Sequence, residues 1–294
     1  VSIVKLPLSR SLLHNVLSLL GKIATIAPEQ VVHNVMPIFT FVGSSVLSRD
    51  DQASFAIVEL TIRDIVSSLV KSIRKESNDT DSFRLLLRCR DFLRIFTGAA
   101  HHIPRHRRSA VFQLLVDAMG ASDFLGAICL LLVDRYTNKI LKASSSDARD
   151  GPLELPLALF NRYDGLTQGQ ALVQCLEEAS RLLSMGEFDP VAKSDSIFLD
   201  RLADSSAEHG SATQNGPRQA AAVLEFVAWA LQSAALQDKL VRQVAKMSLA
   251  FCASEDARVQ LHGQHLLRNA VDTMKSSTFV EFLCLLLEDG EVSG

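Results

Sequence analysis

The stretch DSFRLLLRCRDFLRIF, residues 81–96, has the periodicity of an amphipathic α-helix. At 100° per residue, apolar side chains gather in one arc and charged side chains lie on the opposite side. The apolar arc holds Leu85, Leu86, Cys89, Phe92, Leu93 and Phe96, and the charged side holds Arg84, Arg88, Asp91 and Arg94. We therefore expect the leucines to pack in a core while the arginines face outward.

The composition of the whole chain favours the same kind of structure. Hydrophobic residues make up 48% of the 294 residues but aromatic residues only 6%, so the core consists mainly of Leu, Val, Ile and Ala. There is no convincing run of period-two alternation, which predicts an all-α fold. A chain of this length could form two average domains or one extended array, and the composition favours the array.

The helical stretches follow one another in pairs separated by short polar or proline-containing breaks. The predicted pairs are 10–26 with 28–41, 51–73 with 81–100, 104–120 with 122–142, 153–162 with 166–185, 219–233 with 238–254, and 256–274 with 276–288. Two-helix units that recur at roughly 40–47 residues are typical of HEAT or armadillo arrays. The sequence thus predicts a HEAT-like α-solenoid, and a compact helical bundle is the alternative.

Proline and glycine residues mark several of the predicted helix boundaries. Pro28 and Pro104 each stand where a first helical turn tolerates a missing N–H group. Gly120 can end a helix, and the Ser or Asp that follows it can cap the next one. Pro37 falls inside an apolar stretch and is expected to kink it.

Five segments describe the expected organisation of the chain. HEAT-like repeats are predicted for residues 1–142, a polar linker for 143–152, a helical repeat for 153–185, an insertion for 186–217 and further repeats for 218–294. The insertion is rich in Ser, Asp, Ala and Gly and contains one apolar island, SIFLDRLA. Such a segment is typical of a mobile insertion or a partner-binding loop, and the island slightly favours the loop.

The cysteines and the apolar runs limit the class of protein. The five cysteines are scattered singly, without a C-x-x-C motif, which predicts buried thiols in a reducing compartment and neither disulfides nor a zinc site. The longest apolar run, residues 124–133, is too short to span a bilayer and predicts a core helix rather than a membrane segment. A start at Val1 without a signal peptide suggests an internal fragment.

The sequence contains none of the common motifs for catalysis or cofactor binding. There is no phosphate-binding G-x-x-x-x-G-K-[ST] loop, no strand followed by G-x-G-x-x-G, and no assignable Ser/His/Asp triad. The pair His262 and His265 stands at i and i+3, but without a nearby Glu a structural role is expected. The adjacent Glu177 and Glu178 indicate a solvated face. We expect no enzyme, no cofactor, no metal and no small-molecule substrate.

The corner AHHIPRHRRSAVF, residues 100–112, concentrates basic side chains in a chain of net charge −3. A metal site there is disfavoured, because adjacent guanidinium groups repel a dication. Two interpretations stay open: a clamp for phosphate near a helix N-terminus, or a solvated turn whose arginines contact acidic groups or a partner protein. Aromatic residues are not interleaved, so any RNA contact should be to the backbone and salt-sensitive. The candidate residues are Arg84, Arg88, Arg94, Arg105, Arg107 and Arg108.

Two stretches carry a resemblance to a known family. Residues 27–62 contain VMPIFTF followed by DD and SF, and residues 102–136 contain H-x-P-x-H-R-R followed by an apolar helix that ends in LLLVDRY. They resemble the HEAT repeat-containing protein one family, the very long U3 small nucleolar RNA-associated scaffolds of the small-subunit processome. The position of Arg105 is often acidic in that family, so the resemblance favours Arg107 and Arg108 as phosphate contacts.

The resemblance implies an internal piece of a nucleolar, hence nuclear, scaffold. Proteins of this family belong to an early subcomplex that binds the 5′ leader of pre-ribosomal RNA, promotes its transcription and processing, and works beside β-propeller partners without catalysis of its own. The alternative is a HEAT-repeat adaptor, such as a transport receptor. It would bind cargo through acidic and apolar inner helices, and its binding would not depend on the arginines.

Overall fold

The computed structural model describes residues 10–26, 52–77, 82–184, 197 and 212–291. The described residues are almost entirely helical, and they divide into two compact units, Val1–Gly120 and Ala121–Gly294. The predicted helix 28–41 with its kink at Pro37, and residues 186–211 of the predicted insertion apart from Ile197, lie outside the described residues. The five-segment organisation of the whole chain stays a prediction.

The first unit is a succession of helices joined by short connections. They are α1 (Arg10–Ile26), α2 (Gln52–Thr61), a π-helical turn (Ile62–Val66), α3 (Ser67–Ser77), α4 (Ser82–Ala99), a 3₁₀ turn (Ala100–His102) and α5 (Arg105–Met119). The predicted helix 51–73 is therefore one continuous helical run that contains a single widened turn. The hydroxyl of Ser68 donates to the carbonyl of Asp64 at 2.8 Å, which gives that turn an additional donor.

Helix α4 packs as its sequence pattern predicts. All six residues of the apolar arc are buried, from Leu85 at 7% exposed to Leu93 at 0%. The rings of Phe92 and Phe96 meet edge to face with centroids 5.1 Å apart. Arg84 and Arg88 remain exposed on the other side of the helix. The apolar face of α4 belongs to the core of this unit as predicted, whereas its arginines face outward only in part, since Arg94 is half-buried.

The second unit begins directly after Gly120 and is larger. Its helices are α6 (Ala121–Asp134), α7 (Thr137–Lys142), α8 (Ser145–Asp150), α9 (Glu154–Phe160), α10 (Gly165–Ser184), α11 (Ala212–Ser233), α12 (Asp238–Cys252), α13 (Ala257–Thr273) and α14 (Ser276–Glu291). Gly120 has φ 109°, and its N–H group donates to the carbonyl of Val116 at 2.9 Å. This left-handed conformation confirms the predicted helix-ending role of the glycine.

Helices α6 and α11 form the centre of the second unit. Every residue from 124 to 133 in α6 is buried, which confirms the predicted core helix. Gly126 permits a close approach to α10, because a Cβ atom there would lie only 3.0 Å from the carbonyl oxygen of Ala171. Phe160 and Phe226 meet edge to face at 6.1 Å between ring centroids. Within the described ranges, none of the helices has the length and hydropathy of a bilayer-spanning segment.

Two segments predicted to lack helix are helical in part. Helix α8 lies inside the predicted linker 143–152, where Ser144 accepts a hydrogen bond from the backbone N–H of Asp147 at 3.3 Å. The pattern of Ser followed three residues later by Asp is a helix N-terminal capping pattern that compensates for the polar composition. Helix α11 begins at Ala212, and Pro217 lies within it rather than at its start. The helix therefore begins before the predicted end of the insertion at residue 217, even though Pro217, as its sixth residue, has no N–H group for an i→i−4 hydrogen bond.

The cysteines are not all buried, although the sequence predicted buried thiols. Cys89, Cys129 and Cys175 are buried, Cys252 is half-buried and Cys284 is exposed. Burial raises the pKa of the Cys89 thiol to about 12. The prediction is wrong for Cys284, because α14 buries Phe282 while leaving Leu283 41% exposed, so only one side of this helix packs.

Candidate functional site

The basic corner of the first unit is built by the break between α4 and α5. A 3₁₀ turn follows α4, and Pro104 precedes the first residue of α5 with φ −52° and ψ 136°. The carbonyl of Pro104 accepts from the N–H groups of Arg107 at 2.9 Å and Arg108 at 3.2 Å. Proline thus opens α5 as predicted, from the position just before the helix, and it places three arginines in the first helical turn.

Arg108 is held by the turn that precedes its helix. Its Nε atom donates to the carbonyl of Ile103 at 2.8 Å, and its Nη2 atom donates to the carbonyl of His101 at 3.4 Å. Ile103 itself is 2% exposed. The guanidinium therefore satisfies backbone oxygens of the connection between α4 and α5, a structural role that the sequence did not reveal.

Arg107 is half-buried and packs on an aromatic ring. The central carbon of its guanidinium lies 5.0 Å from the centroid of Phe55 in α2, a cation–π distance. Its Nε atom also donates to the Nε2 atom of His106 at 3.3 Å. Arg107 thus links α5 to α2 within the first unit.

The remaining candidate arginines differ in exposure. Arg84, Arg88 and Arg105 are exposed, and we refer to these three as the exposed arginines; Arg94 is half-buried. Arg84 and Arg88 stand one turn apart on α4, so their side chains share one face. A further arginine of the same helix, Arg90, is only 3% exposed, and its Nε atom lies 3.7 Å from a carboxylate oxygen of Asp91. The exposed arginines are therefore the ones best placed to meet a ligand.

The histidines of the corner have local partners. The Nδ1 atom of His101 lies 2.8 Å from the carbonyl of Gly98, and since a carbonyl only accepts, this nitrogen donates. The rings of His101 and His102 lie with centroids 3.7 Å apart. Within the described ranges, no group of three or more His, Cys, Asp or Glu side chains is arranged to hold a metal ion.

A second polar cluster lies in the second unit around the histidine pair noted in the sequence, and its central residue, Glu225, was not among the sequence candidates. The side chain of Glu225 in α11 is 4% exposed, and its Oε2 atom accepts from the Nδ1 atoms of His262 at 2.9 Å and His265 at 3.2 Å. Its Oε1 atom accepts from the indole N–H of Trp229 at 2.9 Å. We call these four residues the Glu225 network.

The Glu225 network confirms a structural role for His262 and His265, but the expected lack of a nearby Glu is wrong. Glu225 lies 37 residues before His262 in the chain, and only the packing of α13 against α11 brings them together. The hydrogen bond to Glu225 raises the pKa of His265, although partial burial acts in the opposite direction. The guanidinium of Arg149 lies 5.0 Å from the centroid of the Trp229 ring, which extends the cluster to α8.

Glu177 and Glu178 were both expected on a solvated face. The expectation is correct for Glu177 and wrong for Glu178. The side chain of Glu177 is 49% exposed, whereas that of Glu178 is 1% exposed. Glu178 accepts from Arg181 at 2.9 Å and from the backbone N–H of Ile197 at 2.8 Å. Ile197 belongs to the apolar island of the predicted insertion and is itself buried. Adjacent helical residues point in different directions, so one carboxylate can be buried beside an exposed one.

Comparison with known proteins places the chain in a family. The family described as "HEATR1-like, HEAT repeats" matches residues 88–278, well over half of the chain. The U3 small nucleolar RNA-associated protein 10 of Mycosarcoma maydis is 44% identical over 241 residues, which cover 82% of this chain and 11% of that protein. The proteins of the same name from Aspergillus oryzae and Coccidioides immitis are 38% and 39% identical over 51% and 52% of the chain.

The match covers the basic corner, Arg88 of α4 and the Glu225 network, but not Arg84 of α4. This chain spans only about a tenth of the length of these curated relatives. The helical structure and the family match together confirm the predicted fold class, all-α and HEAT-like. The chain belongs to the HEATR1-like HEAT-repeat family.

Proposed function

We propose that this chain is part of a non-catalytic scaffold that acts in ribosome biogenesis. The observation that carries the proposal is its 44% identity, over 82% of its length, to a protein named for its association with U3 small nucleolar RNA. A HEAT array suits such a role, because stacked helix pairs present an extended surface to several partners at fixed separations. We place its action in the nucleolus.

The finer proposal is a part in the small-subunit processome. There the scaffold organises other processome proteins, β-propeller subunits among them, and the 5′ leader of pre-ribosomal RNA for transcription and for processing of small-subunit RNA. The exposed arginines are proposed to contact RNA phosphates or an acidic protein surface. Their exposure supports this role, whereas Arg107 and Arg108 already serve the fold through Phe55 and the Ile103 carbonyl. Arg94, being half-buried, is a weaker candidate.

The general role is tested by purifying the full-length protein that contains this chain from nuclei and sequencing the RNA that accompanies it. We expect enrichment of U3 small nucleolar RNA and of the 5′ leader of pre-ribosomal RNA. Protein cargo without either RNA would instead support a transport-receptor type of adaptor. That result would overturn the proposal.

The role of the exposed arginines is tested separately on this chain, by measuring its affinity for 5′-leader RNA across a salt series. A variant with Arg84, Arg88 and Arg105 changed to Glu is compared with a charge-matched control in which Arg135, Arg162 and Lys239 of the second unit are changed to Glu. Each phosphate contact contributes about 0.7 to the slope of log affinity against log salt for single strands. Loss of three contacts should therefore reduce the slope by about 2. Equal slopes for the two variants would exclude the exposed arginines as phosphate contacts, and negligible binding by the unchanged chain would exclude RNA from this segment.

A further inference from the structure

A cleft of about 400 Å³ lies in the second unit, among α8, α9 and α11. Leu157 and Trp229 supply its apolar surface, and Arg149, Asp150, Glu154 and Asn161 are among its polar lining residues. The volume is at the lower end of the range of about 300–1,000 Å³ for pockets that bind small molecules. The cleft thus has room for a single long side chain together with part of its backbone.

The ring of Trp229 is held in a fixed orientation by a hydrogen bond on the side away from the cleft. The indole N–H of Trp229 donates to the buried Glu225 at 2.9 Å, so the edge of the ring is anchored in the Glu225 network. The guanidinium of Arg149 lies 5.0 Å from the centroid of the same ring. Leu157, which is 8% exposed, adds a small apolar surface. An anchored aromatic ring beside a buried leucine is a preformed surface for the methylene groups of a ligand.

The charges of the cleft favour a cation over an anion. Two carboxylates, Asp150 and Glu154, stand against the single guanidinium of Arg149, which already lies over the indole ring. The hydroxyl of Ser233 donates to the side-chain carbonyl of Asn161 at 2.9 Å, so an amide and a hydroxyl also lie at the cleft. A nucleic-acid base could stack on the half-buried ring of Trp229, but the two carboxylates would repel its phosphates.

We propose that this cleft binds a Lys or Arg side chain carried on a basic segment of a partner protein. The methylene stem of that side chain lies along Leu157 and Trp229, and its cation pairs with Asp150 and Glu154. Asn161 and Ser233 are placed to hydrogen-bond the backbone of the segment. This proposal concerns a different surface from the exposed arginines and does not depend on the proposed role in ribosome biogenesis.

The test uses Trp229, the single tryptophan of the chain, because its fluorescence reports on the cleft directly. The probe is a ten-residue Gly/Ser peptide with two arginines, blocked at both ends. A second peptide carries two lysines, and a third carries two glutamines at the same positions. We expect saturable changes in fluorescence with both basic peptides and at least about fivefold weaker binding of the glutamine peptide, since each partly exposed ion pair contributes modestly.

A double variant, Asp150→Asn with Glu154→Gln, tests the residues that are proposed to hold the cation. We expect it to bind the basic peptides about tenfold more weakly. The matched control is Glu255→Gln with Asp272→Asn, which removes two exposed carboxylates of the same unit that do not line the cleft. It should bind like the unchanged chain. Circular dichroism establishes that both variants are folded.

Three results would overturn the proposal. The first is equal affinity for the basic and the glutamine peptides. The second is unchanged binding in the Asp150/Glu154 variant. The third is a response of Trp229 to a single-stranded ten-nucleotide RNA but to none of the peptides, which would make the cleft a nucleic-acid site instead.

Discussion

The basic side chains of the first unit and the Glu225 network of the second unit differ in where their charge lies: at the surface in the first and buried in the second. Arg105 at the corner, and Arg84 and Arg88 on α4, keep their charge at the surface. In the network, one carboxylate that is 4% exposed is bonded by two imidazoles and an indole. A charged group at the surface keeps its hydration and can contact a partner. A buried charged group loses its hydration and needs hydrogen-bond or ion-pair partners within the fold. Substitutions at the corner should therefore affect binding, and those in the network should affect stability.

The largest effect is expected for Glu225→Ala, which removes the acceptor shared by His262, His265 and Trp229. Because three donors lose their partner in a mostly buried site, the variant should lose about 3 kcal/mol of unfolding free energy. Urea denaturation followed by circular dichroism measures this loss. The control is Glu177→Ala, whose carboxylate is 49% exposed and pairs with Arg181, and it should cost less than about 1 kcal/mol. Equal losses of unfolding free energy in Glu225→Ala and Glu177→Ala would contradict the stabilising role of the Glu225 network.

A smaller loss of stability is expected for Arg108→Ala. It would distinguish an arginine of the corner that serves the fold from one that does not. Removal of the guanidinium leaves the Ile103 carbonyl without this donor, which should cost about 1 kcal/mol. Arg105→Ala, three residues earlier in the same helix, is the matched control and should change stability by less than about 0.5 kcal/mol. A loss at Arg105 as large as that at Arg108 would show that the exposed arginines also serve the fold.

The network should also make stability depend on pH through His265. Its pKa in the folded chain is raised above 6.5 by the hydrogen bond to Glu225, against the opposing effects of partial burial and of Arg268. Folding therefore favours the protonated form of His265. The contribution of this group to the free energy of unfolding is complete below about pH 6 and is lost as pH rises through the pKa of the folded chain. The contribution should be under about 1 kcal/mol, because the side chain is 31% exposed.

Urea midpoints of the unchanged chain and of His265→Gln, measured from pH 5.5 to pH 8.5, test this dependence. The difference between the two proteins should be largest at the acidic end and should shrink toward the alkaline end. In a Glu225→Gln background the same substitution should show little pH dependence. A difference that grows with pH would reverse the assigned sign.

The smallest change in stability for each residue replaced is expected when Arg84, Arg88 and Arg105 are changed together to Ala. Exposed side chains contribute little to folding, so each should change the unfolding free energy by less than about 0.5 kcal/mol. The same urea experiment measures it. If the triple variant is destabilised as strongly as Glu225→Ala, the exposed arginines serve the fold, and weaker RNA binding by variants at these positions would not identify phosphate contacts.

Much of the fold could be predicted because it follows from periodicity along single helices. The buried arc of α4, the fully buried segment of α6 and the glycine that ends α5 all depend on neighbouring residues of the sequence. The position of α8 was missed because its polar composition outweighed the capping pattern at Ser144. Local patterns thus predict helices well when their apolar face is long.

The sites were less predictable because their partners come from elsewhere in the chain or from the backbone. Glu225 meets His262 and His265 across 37 and 40 residues, and no local pattern encodes that contact. Arg108 binds backbone carbonyls, which every residue possesses and which leave no mark in the sequence. For Glu178, a signal was present in Arg181 at i+3, but it could not distinguish a buried ion pair from an exposed one.

The π-helical turn Ile62–Val66 adjusts the phase of the helical run that contains it. A residue added to a helix rotates everything after it by about 100°. Ile65 and Val66 at the end of the turn, and Leu69 and Val70 after it, are all buried, so the apolar face continues through the turn. Removal of one residue from the turn can therefore be absorbed by its return to regular α-helix, whereas removal of a residue from α2 or α3 would turn the side chains that follow it away from the core. Among related chains, a one-residue difference in length within this run should fall at this turn and leave the apolar pattern of α3 unchanged.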